Sequence, residues 1–290
     1  MGIFVPASPV REPFRTEGLQ VLRRLGFIPE EVPEINSCRG LRAKPTALVL
    51  EDLQTLFFDP QIKAIWAARG GYGSNELLPL LSKIRLEPGK VFMASSDACH
   101  LLWHLLAREN TIVFFGPMAY SGLAEGNFDQ NSLMQVLGGN HSELFYPGLV
   151  IRPGRFRGRI SGGCLSVMVA SIGTPYSPPI SGQALILEDQ NEKPHRLARM
   201  IWQLSEAGIL RQAGALLLGE FPGCFRCPRE KEDFFSDLLE KTRDSSTPII
   251  ADLPLGHARK PMTVPLGVEI GLDTDTAAGF RLLERGVKTK

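Results

Sequence analysis

No apolar run in this 290-residue chain is long enough to cross a bilayer, for which a helix needs about 20 residues. No basic stretch followed by a long apolar segment opens it either, and MGIFVPASP reads as a first strand running into a turn. A cytoplasmic location is the expectation. Charge of one sign is not in excess: 32 Lys and Arg face 31 Asp and Glu, and a net +1 points to neither nucleic acid nor an anionic membrane as partner. Cysteine is sparse. Five scattered residues, an odd number in mostly apolar surroundings, argue against a disulfide framework. Cys224 and Cys227 form a lone CxxC in FPGCFRCPRE, but zinc needs two more ligands and no second pair matches. His100 and His104 stand four apart without the intervening glutamate of HExxH, so no metal is expected there. Internal repeats and low-complexity tails are absent as well.

What is present alternates. In the first half IFVPA, IKAIWAA, VFMASS and IVFFG are short apolar runs, separated by segments of helical period such as TEGLQVLRRLGF, which Gly26 stops, and DACHLLWHLLARE. That order predicts a parallel sheet covered by helices on both faces. In the second half ALILED, GALLLGEF and TPIIADL read as strands. Pro194 opens a helix through PHRLARMIWQLSEAGI, with Leu197, Ile201, Leu204 and Ala207 along one face. MTVPLGVEIGLD and GFRLLE read as a terminal hairpin or meander. Trp103 and Trp202 are expected in the core. The irregular middle marks a crossing at residues 131–154 between domains spanning 1–130 and 155–290. RPGRFRGR, with Arg152, Arg155, Arg157 and Arg159, reads as a charged loop face or an anion-binding edge.

The stretch ARGGYGS concentrates Gly70, Gly71 and Gly73 before Ser74. Glycine is costly inside regular elements, so a tight turn or a close backbone approach is implied. GxxxxGK[ST] is missing, which leaves phosphate cradling unsupported. A strand–turn–helix corner would expose Ser74 while placing N–H groups of Gly71 and Asn75 where an acyl-transfer oxyanion forms. A structural turn is the competing reading. Serine needs a base, and histidine is the usual one near neutral pH. His141 falls in the loop GGNHSEL and His195 near a helix start. His257 follows the apolar strand PIIADL in a glycine-containing loop, where it can face a cleft. Glu188 or Asp189, at the end of ALILED, can orient it, and the residues alone leave that choice open.

The ordered segments IFVPASPV, ARGGYGSNELLPLL, SSDACHLL, FGPM, GRISGGCLSV, GTPY, LILEDQNEKPHRLARMIWQL and ADLPLGHARKPMTVPLGV together resemble the LD-carboxypeptidase family over nearly the whole chain. This resemblance implies an α/β fold: an N-terminal parallel sheet flanked by helices, with a smaller C-terminal β-rich α/β domain. It also implies Ser74 as nucleophile, His257 as general base, Glu188 as orienter, and a cytoplasmic homodimer without metal or cofactor. The implied reaction is release of terminal D-alanine from a murein tetrapeptide, the small-peptide carboxylate meeting Arg69 or Arg159. Two alternatives go with it: cleavage of an aminoacyl-nucleotide amide, as in microcin C self-immunity peptidases, and an inactive peptide-binding homologue. Phe115, Cys99, Leu102, His195, Ala198 and Glu76 depart from the family's usual residues.

Overall fold

The computed structural model describes residues 1–36, 40–83, 86, 89–108, 111–140 and 144–287; His141 lies outside them. The apolar runs of the first half become the strands Gly2–Phe4, Ala64–Ala67, Val91–Ala94 and Val113–Phe115, nearly all of whose residues are buried. They pair in parallel, and the short strand Glu30–Glu31 extends the same sheet. Parallel neighbours need crossovers. Phe14–Arg24, Thr46–Phe58 and Cys99–Arg108 are the helices of those connections. Gly26, at φ +89°, takes the left-handed position just past the first helix, where the sequence places the stop.

A second sheet has eight strands against six. Its centre, Arg155–Cys164, Ala184–Glu188, Ala215–Gly219 and Ile249–Leu253, is parallel. Leu149–Arg152 closes one side, while Glu269–Asp273, Gly279–Leu282 and Phe145–Pro147 extend the other, all antiparallel. The span 131–154, expected as a crossing between domains, is built of regular elements. It holds most of the helix Gln130–Leu137 and two strands that form opposite edges of the second sheet.

Three further expectations change. Val264–Leu266 does not join the terminal hairpin but returns to the first sheet, antiparallel to Val113–Phe115, so the span 155–290 contributes to both sheets. The arginine-rich stretch is a strand rather than a loop, because Arg155, Arg157 and Arg159 alternate with inward residues at the two-residue period of a pleated strand. Helix Pro194–Glu206 buries Leu197, Met200, Ile201 and Leu204, whereas Ala207 is its exposed C-cap. Trp202, 56% exposed, lies off that stripe; Trp103 is in the core as expected.

Candidate active site

The strand Ala184–Glu188 is buried throughout and ends on a carboxylate with no solvent exposure. A buried carboxylate is costly unless bonded. Glu188 Oε2 accepts the backbone N–H of His257 at 3.0 Å and lies 2.7 Å from His257 Nδ1. Two glycines make room for this side chain. A Cβ on Gly256 would fall 2.1 Å from Glu188 Cδ, and one on Gly219 would fall 2.7 Å from its Cβ. Burial alone would lower the His257 pKa, but the Glu188 charge and hydrogen bond outweigh it and hold it above the ordinary value. With Nδ1 committed to Glu188, Nε2 is the nitrogen left to act as base. The adjacent Asp189 is engaged elsewhere, its Oδ2 accepting the N–H of Ser166 at 2.8 Å, at the start of helix Leu165–Ser171. The choice that the residues leave open falls on Glu188.

His257 lines a cavity of about 490 Å³ together with Arg69, Gly70, Gly71, Ser96 and Asp97. Ser74 is not among the lining residues. It is fully buried, its hydroxyl donates to the Asp97 carbonyl at 2.5 Å, and its N–H donates to Asp97 Oδ2 at 2.9 Å. The glycine turn is real, but the hydroxyl at its end points into the protein. Asn75 lies on a neighbouring hollow with Tyr72, His100 and Tyr176, not on this cavity, whereas Gly71 does face it. Arg69 is half-buried on the wall and donates to the Pro9 carbonyl at 2.9 Å. Burial and the nearby Arg11 lower its pKa, with Glu125 opposing. Arg159 is elsewhere, bonded to the Gly267 carbonyl and 3.3 Å from Glu284. Arg152, Arg155 and Arg157 are likewise engaged with partners off the cavity.

Four serines line the cavity, Ser95, Ser96, Ser121 and Ser166, and of these Ser96 alone has a positive φ. Strand Val91–Ala94 ends just before it, Ser96 takes φ +55°, and a single 3₁₀ turn leads into helix Cys99–Arg108. A non-glycine residue at positive φ on a strand–turn–helix corner is a strained arrangement that lifts a side chain out of the backbone. Gly70 packs against it so closely that a Cβ there would lie 2.9 Å from Ser96 Oγ and 3.4 Å from Asp97 N. The signal was present in VFMASSDACHLL, an apolar strand running straight into a helix through Ser-Ser-Asp. The glycine cluster at 70–73 is the denser local feature. Among the described residues no group of three or more His, Cys, Asp and Glu side chains is arranged to hold a metal.

The fold thus pairs two α/β sheets around one cleft, with a histidine–carboxylate pair on one side and a strained serine corner on the other. Comparison with known proteins gives the family. Residues 1–116 match the LD-carboxypeptidase N-terminal domain and residues 157–272 the LD-carboxypeptidase C-terminal domain, and the chain belongs to that family. It is 32% identical over 235 residues to the murein tetrapeptide carboxypeptidase of Pseudomonas aeruginosa, covering 75% of each chain. The crystal structure of muramoyltetrapeptide carboxypeptidase from Oxalobacter formigenes superposes with a TM-score of 0.81 at 27% identity, covering 97% of this chain and 98% of that one. The microcin C7 self-immunity protein superposes at 0.85 with 20% identity, over 99% of this chain and 96% of its own, a likeness of fold. These relatives support a peptidase role.

Proposed function

We propose that this chain is a serine peptidase in which Ser96, rather than Ser74, is the nucleophile, His257 the general base and Glu188 its orienter. The supporting observation is the placement of a positive-φ serine on the cavity that His257 lines while its Nδ1 is held 2.7 Å from Glu188. Ser96 Oγ attacks the amide carbonyl carbon as His257 Nε2 takes its proton. The tetrahedral oxyanion is received by the N–H of Asp97, the residue after the nucleophile, with the Gly71 N–H as second donor. Histidinium then gives its proton to the departing amine, and the same base activates the water that cleaves the Ser96 ester.

The substrate class follows from the wall and the relatives. Arg69 is the guanidinium on the cavity, and we assign it the terminal carboxylate of a peptide, which makes the activity a carboxypeptidase. Release of D-alanine from a murein tetrapeptide is the reaction we favour, given the Pseudomonas relative's name. Cleavage of an aminoacyl-nucleotide gains less support: His257 apart, the described residues lining the cavity include no aromatic ring on which a base would stack. The proposal keeps the cytoplasmic homodimer that the family resemblance implies, and no described helix is long and apolar enough to cross a membrane.

D-Alanine release from the tetrapeptide, beside its all-L counterpart and an aminoacyl sulfamoyl adenylate, tests the reading. We expect turnover of the first alone. Exclusive turnover of the adenylate would overturn the substrate, and peptide binding without turnover or a phosphonate adduct would overturn the enzyme.

A further inference from the structure

Ser74 is left without a catalytic role by this reading, yet its surroundings are unusually determined. The glycine turn is fastened at its beginning by Ser8, whose N–H donates to the Gly70 carbonyl at 3.3 Å and whose Oγ accepts the Tyr72 N–H at 3.1 Å. At its end it is fastened by Ser74, through two bonds to a single residue. The Ser74 N–H reaches the Asp97 carboxylate and the Ser74 hydroxyl reaches the Asp97 carbonyl, so side chain and main chain of each residue are engaged reciprocally. The Gly73 N–H also faces that carboxylate. Asp97 is 6% exposed and Ser74 not at all, so water does not compete for these bonds.

The position of this pair matters because Asp97 directly follows Ser96. Gly70 and Gly71 stand at the end fastened by Ser8, both on the cavity, with Gly70 against the Ser96 side chain. We propose that Ser74 and Asp97 form a positioning clamp that sets the distance between the serine corner and the glycine turn, and so between the two backbone donors of the oxyanion site. The inference rests on Ser96 being the nucleophile. Ser74 itself touches no substrate. Its hydroxyl acts by holding the Asp97 carbonyl, and through the Asp97 Cα the preceding Ser96–Asp97 peptide unit, whose N–H must meet charge that exists only in the transition state.

A donor aimed at the transition state alone affects kcat more than ground-state binding. Ser74→Ala should therefore lower kcat by about 10- to 100-fold, the scale expected when reacting groups are misplaced by about 1 Å. KM should be little changed, and the rate of inactivation by a serine-directed phosphonate should fall in parallel with kcat. Ser74→Thr, which retains the hydroxyl, should recover most of the loss. Thermal unfolding of each variant identifies the folded fraction by which kcat is normalised. Mass spectrometry of the phosphonate adduct separates the two levels of inference. An adduct on Ser74 would overturn both the nucleophile and the clamp. An adduct on Ser96, with kcat unchanged in Ser74→Ala, would overturn the clamp alone, as would a loss that appears only in KM or that Ser74→Thr fails to recover.

Discussion

At the scale of single residues, the histidine–carboxylate contact makes a prediction with a definite sign. A base must be neutral to accept the serine proton, so the acid limb of kcat/KM follows the His257 pKa in the free enzyme. Because Glu188 holds that pKa above its ordinary value of about 6.5, activity should rise through a midpoint higher than 6.5. Glu188→Gln removes the opposing charge and leaves burial, so the midpoint should move down even as kcat falls, by on the order of 10³- to 10⁴-fold. A pH–rate profile of both proteins checks it, and an acid limb that stays in place would detach Glu188 from His257. Ser96→Ala should abolish turnover while the unfolding transition is retained. The contact between His257 and Glu188 was legible in part, because Glu188 ends one apolar strand, His257 stands in the loop just past another, and strand ends are where a parallel sheet presents side chains. The burial of Ser74 away from the cavity was not legible, because glycine density marks a tight turn without saying which way the following side chain points. The place of Arg159 off the cavity was not legible because four close arginines suggest an anion site, whereas a strand puts three of them on one solvent face, in ion pairs with Asp273, Glu269 and Glu284.

At the scale of elements, the helix Cys99–Arg108 carries a cost that pH should reveal. His100 and His104 are both buried, and burial depresses each to about 4, with Arg108 adding to the effect on His104. Unfolded, both titrate near 6.5. Between those values the unfolded chain binds more protons than the folded one, so stability should fall as pH drops from about 6.5 towards 4. Thermal midpoints across that range measure it, and a His100→Leu, His104→Leu protein should show a flatter curve. A second element-level test concerns the loop that delivers His257. Gly256 has φ +67°, and its missing Cβ leaves the space that Glu188 fills. Gly256→Ala should cost about 1–3 kcal/mol of stability through crowding, besides depressing kcat. The strands themselves were readable from apolar runs of the right length. The strand Arg155–Cys164 was not, because its first half alternates arginine with Phe156 and Gly158 and so resembles a polar loop in composition.

At the scale of the whole molecule, the pairing of sheets explains why the chain cannot be divided at one point. Ser96 stands on the first sheet and Glu188 on the second, while His257 lies between Ile249–Leu253 of the second sheet and Val264–Leu266 of the first. Pro265→Gly, within that returning strand, should loosen the His257 loop and lower kcat more than it lowers the affinity for a bound peptide product, as isothermal titration beside steady-state rates would report. Equal losses in both would argue that the strand only stabilises. Local period does not reveal such a return. VPL is as apolar as any short strand, and nothing in three residues says which of two sheets receives it.

That same strand bears on how the protein is made. Val264 pairs with Phe115 across 149 residues of chain, so a ribosome must synthesise nearly the entire protein before the first sheet gains its last neighbour. Until then Val113–Phe115 is an open apolar edge, the kind of surface that recruits stray strands from other molecules. The residues that cover this edge follow His257 by only a few positions. Synthesis therefore delivers His257 and the strand that closes the sheet almost together, and a chain released early has the Ser96 corner without His257 to face it.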